Sequence, residues 1–302
     1  LQQYYYQTAV CNINDSWQAD NQTQINMYME TVHPTPSQEA WSHQTRSQNN
    51  GGNKILIKAV ITGALILIMM IPTFYVQSLV SEREKRQKEV VAEVSSKWSS
   101  QQTFTSPYIY VPYQAKEKND TGKIITVTRD LVFLPENLNV EGNIVPEERP
   151  RSIYKVLLYK SELNASGNFQ LKLPKDINAS QLNMADAKIC VGITDFKGVE
   201  ERLIVKLNDK DYELASGLPT NEIDSNGLST NLDISIQDFE KPISFSVKAK
   251  LKGSEQLKFV PLSANSSFAL RSSWSNPSFD GNTLPSSRAV NEKGFQATWA
   301  FS

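Results

Sequence analysis

Histidine, cysteine and glycine-rich motifs are scarce in this 302-residue chain, and each scarcity excludes a kind of site. The two histidines, His33 and His43, both precede residue 53, so the region from residue 53 onward cannot form a Ser-His-Asp triad or a His-ligated zinc site. The two cysteines, Cys11 and Cys190, exclude a disulfide framework. Cys190 lies in the apolar run KICVGI, where a small buried residue is expected.

Nucleotide and nucleic-acid sites are not indicated either. Neither GxGxxG nor GxxxxGK[ST] occurs in the chain. The 31 Lys and Arg residues balance 32 Asp and Glu residues, whereas a nucleic-acid partner favours a basic excess. We therefore predict no cofactor, no metal site, no catalytic residue and no nucleic-acid partner.

One long stretch, residues 59–81, contains no Asp, Glu, Lys, Arg or His and is mostly apolar. A helix needs about 20 such residues to cross a bilayer core. The sequence therefore predicts a transmembrane helix over residues 54–81, in which Pro72 is tolerated with a kink. A cleavable signal peptide is the main alternative. The apolar run is longer than a signal core, however, and no A-x-A-like cleavage site follows it, which favours an uncleaved anchor.

The segments on either side of this stretch are polar in different ways. Residues 1–53 are rich in Gln, Asn, Ser and Thr and are predicted to be a disordered amino-terminal segment. Residues 82–100 are predicted to form a juxtamembrane helical stem, since acid-first i,i+4 pairs recur there. These pairs are Glu82–Arg86, Glu84–Lys88 and Glu93–Lys97. An apolar stripe that includes Val94 and Trp98 is expected to pack on the domain that follows.

Residues 101–302 have the texture of a mostly β domain, in which short runs of β-formers alternate with turn clusters. The predicted strands are 108–112, 123–134, 153–160, 169–173, 187–193, 202–207, 228–236, 243–251, 267–274 and 295–301. Gly253-Ser254 followed by QLKFVPL indicates a hairpin, and the lysines at 248–252 suit a charged sheet edge. We predict a mostly β fold, an antiparallel sandwich or a mixed β-rich domain, preceded by a single transmembrane helix and a juxtamembrane helix.

Motifs that could carry chemistry are few. Ser152 and Lys155 match the S-x-x-K pattern of serine acyl-transfer enzymes, but RSIYKVLLY is typical of a strand, which would put the two side chains on opposite faces. Glu147-Glu148 is interpreted as part of a charged loop, and Asp195 and Asp280 as turn residues. The segment 274–299 is dense in aromatics and turn formers. It is interpreted as a core corner with loops, with a ligand-binding rim as the alternative.

Six segments, in order along the chain, resemble one known family. They are IPTFYVQSLVSEREKRQKEVVAEVSSKW at 71–98, SPYIYVPY at 106–113, FLPENLNVEGNIVPEERPRSIYKVLLY at 133–159, GITDFKGV at 192–199, LKGSEQLKFVPL at 251–262 and SSWSNPSFDGNTLPSSRAVNEKGFQATW at 272–299. The chain resembles the CreD family of bacterial inner-membrane proteins, which are linked to cell-envelope integrity. The resemblance covers residues 54–302 and leaves the polar segment unexplained.

The resemblance implies an amino-terminal membrane helix, a large periplasmic β-rich domain and a later cluster of membrane helices. The chain ends where that domain would end, so we expect it to be a carboxyl-truncated fragment. Family members commonly have R-G-I-Y where this chain has Arg151-Ser152-Ile153-Tyr154, which argues against a nucleophilic Ser152. The family carries no established catalytic residue that could be transferred to this chain.

Charge and resemblance disagree on the orientation in the membrane. Five Lys and Arg residues follow the span within about 20 residues and three precede it, which by itself would place the carboxyl side in the cytoplasm. Long domains, however, translocate largely regardless of flanking charge. We follow the resemblance and predict an inner-membrane protein whose residues 101–302 are periplasmic.

The leading functional hypothesis is a non-enzymatic inner-membrane protein of cell-envelope integrity and the envelope stress response. Its β-rich domain would act by binding or scaffolding. The first alternative is a membrane-tethered sensor or ligand-binding module, and a less favoured one is a cell-wall-acting Ser-Lys hydrolase. The expected partners are the lipid bilayer and, as open alternatives, other envelope proteins or cell-wall components.

Overall fold

The computed structural model describes residues 9–12, 52–119 and 122–302, which form one long helix and sixteen strands. The helix is α1 (Gly52–Trp98). The strands are β1 (Ala9–Asn12), β2 (Gln102–Lys118), β3 (Ile124–Phe133), β4 (Asn137–Arg151), β5 (Tyr154–Phe169), β6 (Lys188–Ile193), β7 (Ile204–Leu207), β8 (Lys210–Glu213), β9 (Ala215–Ser216), β10 (Gly227–Asn231), β11 (Ile243–Ser254), β12 (Gln256–Val260), β13 (Asn265–Ser272), β14 (Ser278–Gly281), β15 (Ser287–Asn291) and β16 (Gly294–Phe301). Four short 3-10 helices lie at Ala179–Gln181, Met184–Asp186, Phe196–Gly198 and Ile236–Glu240.

Helix α1 runs without a break through the predicted span and through the predicted stem (residues 82–100) as far as Trp98. In the described part of the chain it is the one helix long and apolar enough to cross a membrane. Hydroxyls inside the apolar stretch bond within the helix, since Thr62 donates to the Lys58 carbonyl at 2.9 Å and Thr73 to the Met69 carbonyl at 3.2 Å. Such internal satisfaction is what a hydrocarbon environment requires. Two of the three expected charge pairs form, Glu82–Arg86 at 3.1 Å and Glu93–Lys97 at 2.8 Å.

The chain divides into two compact units. One contains α1 up to Val91, and the other contains β1 together with the described residues from Ala92 to Ser302. The last two turns of α1 are therefore part of the β domain. Of the predicted disordered segment, residues 1–53, the structure describes β1 and the first two residues of α1. The rest of that segment lies outside the described residues.

Two eight-stranded sheets build the β domain, which confirms the predicted mostly β fold behind one transmembrane helix. In sheet A the strand order is β14-β1-β12-β2-β6-β10-β9, and β3 pairs with the far half of β2. In sheet B the order is β15-β16-β13-β4-β5-β11-β7-β8. Most pairs are antiparallel, but β12 pairs with β2 and β13 pairs with β4 in parallel.

One large core lies between the sheets and explains the alternation in the sequence. Phe259 of sheet A meets Phe268 of sheet B with ring centroids 5.4 Å apart, and both side chains are fully buried. A smaller cluster around Tyr108, Tyr110 and Cys190 covers the other face of sheet A. Because β2 is buried on both faces from Phe104 to Pro112, that part of its sequence is a continuous run of apolar and small residues, whereas the rest of the strand alternates in exposure.

The predicted hairpin after Gly253-Ser254 is wrong. Strand β11 lies in sheet B between β5 and β7, whereas β12 lies in sheet A beside β2. The chain changes sheets at Glu255, which has a positive φ of 60°. Lys248 consequently lies between two paired strands, whereas at Lys250 and Lys252 β11 pairs only with β5, and its other side is met by an isolated bridge from Val199 to Leu251. Lys250 pairs with Glu201 at 2.6 Å.

Strand β4 was missed because its second half contains Pro146, Pro150 and the acidic pair. The pairing with β13 stops at Ile144, so from residue 145 onward β4 pairs only with β5. Proline is tolerated where one side of a strand is free of ladder hydrogen bonds. The charged loop expected at Glu147-Glu148 is therefore the free-edged half of a long β4–β5 hairpin.

Candidate functional site

The S-x-x-K residues lie at the tip of the β4–β5 hairpin. Ser152 lies in the two-residue turn between β4 and β5 with a φ of 56°, and not in a strand as predicted. The Lys155 ammonium instead contacts the Glu148 carboxylate at 3.1 Å. Both Ser152 and Lys155 are exposed to solvent.

Asp195 has the expected turn role, since its carboxylate accepts the backbone N–H of Lys197 at 3.0 Å at the start of a 3-10 helix. Asp280 instead lies in strand β14, where it pairs with β1 and its carboxylate accepts the backbone N–H of Gly281 at 2.7 Å. Cys190 is fully buried, and burial raises the pKa of its thiol to about 12, which makes it unreactive at neutral pH. Among the described residues no group of three His, Cys, Asp or Glu could hold a metal ion.

The aromatic segment 274–299 contributes to the core. Phe279 packs edge-to-face on Phe295 at 5.4 Å and on Trp299 at 5.6 Å, and Trp299 is 2% exposed. Trp274 packs against the same core, and its indole N–H donates to the Asn276 carbonyl at 2.6 Å. The interpretation as a core corner therefore describes these side chains better than a ligand-binding rim does.

A groove of about 470 Å³ crosses the solvent face of sheet B and is the best candidate for a ligand site. It spans four neighbouring strands, β16, β13, β4 and β5. Its floor is Ala269, whose register partners are Thr298 on one side and Glu141 on the other. Because the side chain of Ala269 is a single methyl group between longer side chains, the surface is lower at this point and forms the groove. The solvent-facing lining consists of Glu141, Asn143, Glu162, Asn164, Ala269, Arg271, Gln296 and Thr298.

The charges in this groove are of two kinds. Glu162 is held by a hydrogen bond and ion pair from Lys248, which lowers the pKa of its carboxyl and keeps it ionised. Within residues 56–119 and 122–302, no ion pair engages Glu141 or Arg271. An unengaged carboxylate and an unengaged guanidinium thus flank one small floor residue, with amide and hydroxyl groups around them. A polar ligand that carries both signs of charge fits these groups.

Sequence reasoning missed this groove for a physical reason. Its residues occupy the solvent-facing positions of four strands with alternating patterns. In the sequence, such positions cannot be distinguished from ordinary exposed surface. The site appears only when β13, far along the chain, inserts between β4, to which it is parallel, and β16, to which it is antiparallel. The one local signal is that Ala269 is small and apolar, whereas Ser267 and Arg271, on the same face of SSFALRS, are polar.

A second polar cluster fastens the end of α1 to the β domain. The Asp195 carboxylate accepts the Ser100 backbone N–H at 3.0 Å, the Ser100 hydroxyl at 2.9 Å and the Ser99 hydroxyl at 3.3 Å. Burial alone would raise the pKa of Asp195, but these hydrogen bonds and the one from Lys197 outweigh it and lower the pKa. The Gln102 side-chain amide adds a bond to the Asp195 carbonyl at 2.8 Å. We call Ser99, Ser100, Gln102 and Asp195 the helix-end clamp.

Trp98, the last residue of α1, lies beneath three cations. The Arg149 guanidinium carbon is 4.6 Å from the ring centroid, the Lys252 ammonium 5.1 Å and the Lys160 ammonium 5.9 Å. On the preceding turn, Glu93 pairs with Arg151 at 3.2 Å. The expected packing of this helical face on the domain is thus seen for Trp98, which makes cation–π contacts there.

Asp224 has a partly buried carboxyl group that contacts Thr105 on strand β2 of sheet A. Asp224 accepts the Thr105 hydroxyl at 2.8 Å through one oxygen, while its other oxygen is buried with no hydrogen-bond partner. Burial therefore raises the pKa of this carboxyl, and the Thr105 bond opposes the rise only in part.

Fold and site together define a membrane-anchored protein whose β-rich domain presents a polar groove. Residues 54–302 match the family described as Inner membrane protein CreD, and the chain belongs to that family. It is similar to Inner membrane protein CreD of Escherichia coli (strain K12), with 27% identity over 241 residues. That alignment covers 78% of this chain and 52% of the relative, so the chain spans about half the length of the protein it matches.

Proposed function

We propose that this chain is a non-enzymatic protein of cell-envelope integrity, whose β domain lies in the periplasm and binds a polar component of the cell wall. The groove on sheet B carries the proposal, because it places the unengaged Glu141 and Arg271 around the open floor at Ala269. A cell-wall muropeptide offers sugar hydroxyls, amides, carboxylates and an ammonium group. Each of these has a counterpart among the lining side chains.

Filling the floor tests the site most directly. The full chain in lipid nanodiscs is titrated with a fluorescent muropeptide, a disaccharide bearing its peptide, and anisotropy reports binding. Ala269→Leu should weaken binding at least about tenfold, which corresponds to about 1.4 kcal/mol. Ala300→Leu is the matched control, because Ala300 is exposed on the same face of β16 and does not line the groove. If both leucine variants bind as the wild type does, the groove is not the site.

The charged residues provide a second, independent arm. Arg271→Gln and Glu141→Gln should each weaken binding of the same muropeptide, while neither fills the groove. Loss in the first variant alone would indicate an anionic ligand with no need for Glu141. Unchanged affinity in both would contradict a ligand that carries two signs of charge.

The non-enzymatic part of the proposal has its own test. We expect no covalent adduct when the wild-type chain is incubated with a fluorescent β-lactam, because Ser152 and Lys155 lie at an exposed turn and Lys155 is engaged with Glu148. An adduct that appears in the wild type and disappears in Ser152→Ala would establish the serine hydrolase instead.

A membrane-tethered sensor is the second candidate, and the helix-end clamp favours it. The clamp and Trp98 fix the last turns of α1 to the β domain, so a change in the domain would reach those turns. A sensor predicts that saturating muropeptide alters amide hydrogen exchange over residues 92–100. Identical exchange with and without ligand would leave simple binding as the better description.

A further inference from the structure

Sheet A contains a gap one strand wide between β12 and β14, and this gap is occupied in the structure by β1. Strand β1 pairs antiparallel with both neighbours, Ala9 to Asn12 against Phe259 to Gln256 on one side and against Gly281 to Ser278 on the other. In the described sheet β14 has no other strand partner. Removal of β1 would therefore expose two rows of backbone donors and acceptors that face each other.

Both walls of the gap make contacts that do not involve β1. Strand β12 is fixed by its parallel pairing with β2 and by fully buried Leu257 and Phe259. Strand β14 is fixed by Phe279, which packs on Phe295 and Trp299 in the core. The gap is thus a preformed acceptor for an extended segment.

The bilayer separates β1 from this gap. Helix α1 is the membrane span. The sequence of residues 13–51 has no apolar run near the roughly 20 residues that a second crossing would need. A chain that crosses once has residues 9–12 on one side of the membrane and the β domain on the other. In the inserted protein β1 therefore cannot fill the gap in its own β domain.

We propose that the gap between β12 and β14 is a strand-accepting site that, in the membrane-inserted protein, takes an extended segment of a partner protein on the same side as the β domain. The acceptor sets the chemistry of that segment. Positions equivalent to 9 and 11 lie between the pairs Phe259–Gly281 and Leu257–Phe279, which belong to the core face. Positions equivalent to 10 and 12 lie between Lys258–Asp280 and Gln256–Ser278.

The partner segment should consequently alternate, with small apolar residues at two positions and polar or charged residues at the other two. Main-chain hydrogen bonds would supply much of the affinity and the alternation would supply register, as in other cases of strand addition. This site lies in sheet A and does not depend on the groove in sheet B.

Disulfide trapping in nanodiscs tests the proposal with the full chain. The acceptor variant is Ser278→Cys in a Cys11→Ala background, since Ser278 lies directly opposite position 12. The probe is a peptide of residues 7–14 with Cys11→Ala and Asn12→Cys, added to the side of the β domain. The control acceptor is Ser287→Cys, which lies exposed on strand β15 of sheet B. The control peptide adds Val10→Pro, which removes a backbone donor.

We expect the mixed disulfide with Ser278→Cys to form at least about tenfold faster than with Ser287→Cys, because pairing raises the local thiol concentration. The proline peptide should lose that advantage. Equal rates at the two acceptor positions, or an unaffected proline peptide, would overturn the proposal. So would an internal disulfide in the chain that carries Asn12→Cys and Ser278→Cys together in the bilayer, because the chain would then fill its own gap.

Discussion

The carboxylate of Asp195 accepts the backbone N–H of Ser100 at 3.0 Å, two residues beyond the end of α1. Asp195→Asn keeps the shape but removes the charge that Ser99, Ser100 and Lys197 all face. We expect it to lower the free energy of unfolding by about 1 kcal/mol, the size of a charge-assisted hydrogen bond discounted for partial exposure. Urea denaturation measures this. Asp280→Asn, which affects a single bond to Gly281, should cost clearly less, and equal losses would show that the clamp has no special weight.

The same carboxyl makes stability depend on pH in a defined direction. The pKa of Asp195 is lowered below its ordinary value of 3.8 in the folded chain. Its contribution is therefore complete above that ordinary value and is lost as pH falls through the folded pKa. The stability difference between wild type and Asp195→Asn should persist at pH 7 and vanish in acid below pH 3.8. A difference that grows on acidification would contradict this assignment.

For Asp224 we expect the stability of the protein to depend on pH in the opposite direction. Burial raises its pKa in the folded state, so the folded chain holds the proton more tightly than the unfolded chain and stability falls as pH rises above 3.8. Asp224→Asn should remove this component and make the protein at least as stable as the wild type at pH 7. Thermal unfolding from pH 4 to pH 8 measures it. A variant that keeps the wild-type slope would assign the slope to other groups.

We expect the replacement of Ser152 by glycine to stabilise the protein. Its φ of 56° is unfavourable for a residue with a Cβ but accessible to glycine, which also suits the first central position of a two-residue hairpin turn. Ser152→Gly should raise the free energy of unfolding by up to about 1 kcal/mol. Ser166→Gly, the same change inside β5, should lower it by about 0.5–1 kcal/mol. Destabilisation by both would mean that the turn is not strained.

Orientation in the membrane predicts the outcome of two reporter fusions. A periplasm-active reporter such as alkaline phosphatase should be active when fused after residue 300 and inactive when fused after residue 40. The physical reason is that a long domain translocates regardless of the five Lys and Arg residues that follow the span. Activity at residue 40 and silence at residue 300 would reverse the assignment and place the β domain in the cytoplasm.

Features set by local pattern were predictable, and features set by strand neighbours were not. The apolar run of α1 and the alternation in β11 follow from periodicity, and both elements are present where they were expected. Periodicity cannot say which strand lies beside which, so the sequence suggested a hairpin where Glu255 carries the chain from sheet B into sheet A. The groove around Ala269 depends on the same kind of information.

The local sequence pattern also predicts the wrong secondary structure where the spatial neighbours of a residue are unusual. Pro146 and Pro150 argue against a strand, and only the end of β13 at Ser272 shows why β4 tolerates them. Ser152 looked like part of a strand because nothing in RSIYKVLLY marks the turn. A glycine at that position would have marked it.

The two parallel pairs, β2 with β12 and β4 with β13, have a consequence for biogenesis. Each joins strands that are more than a hundred residues apart in the chain, so both sheets have high contact order and are expected to fold slowly. Neither sheet can close until nearly the whole domain has been synthesised and delivered to its side of the membrane. During that interval long apolar strands are unpaired. The nascent chain would therefore depend on chaperones until β13 has been synthesised and delivered.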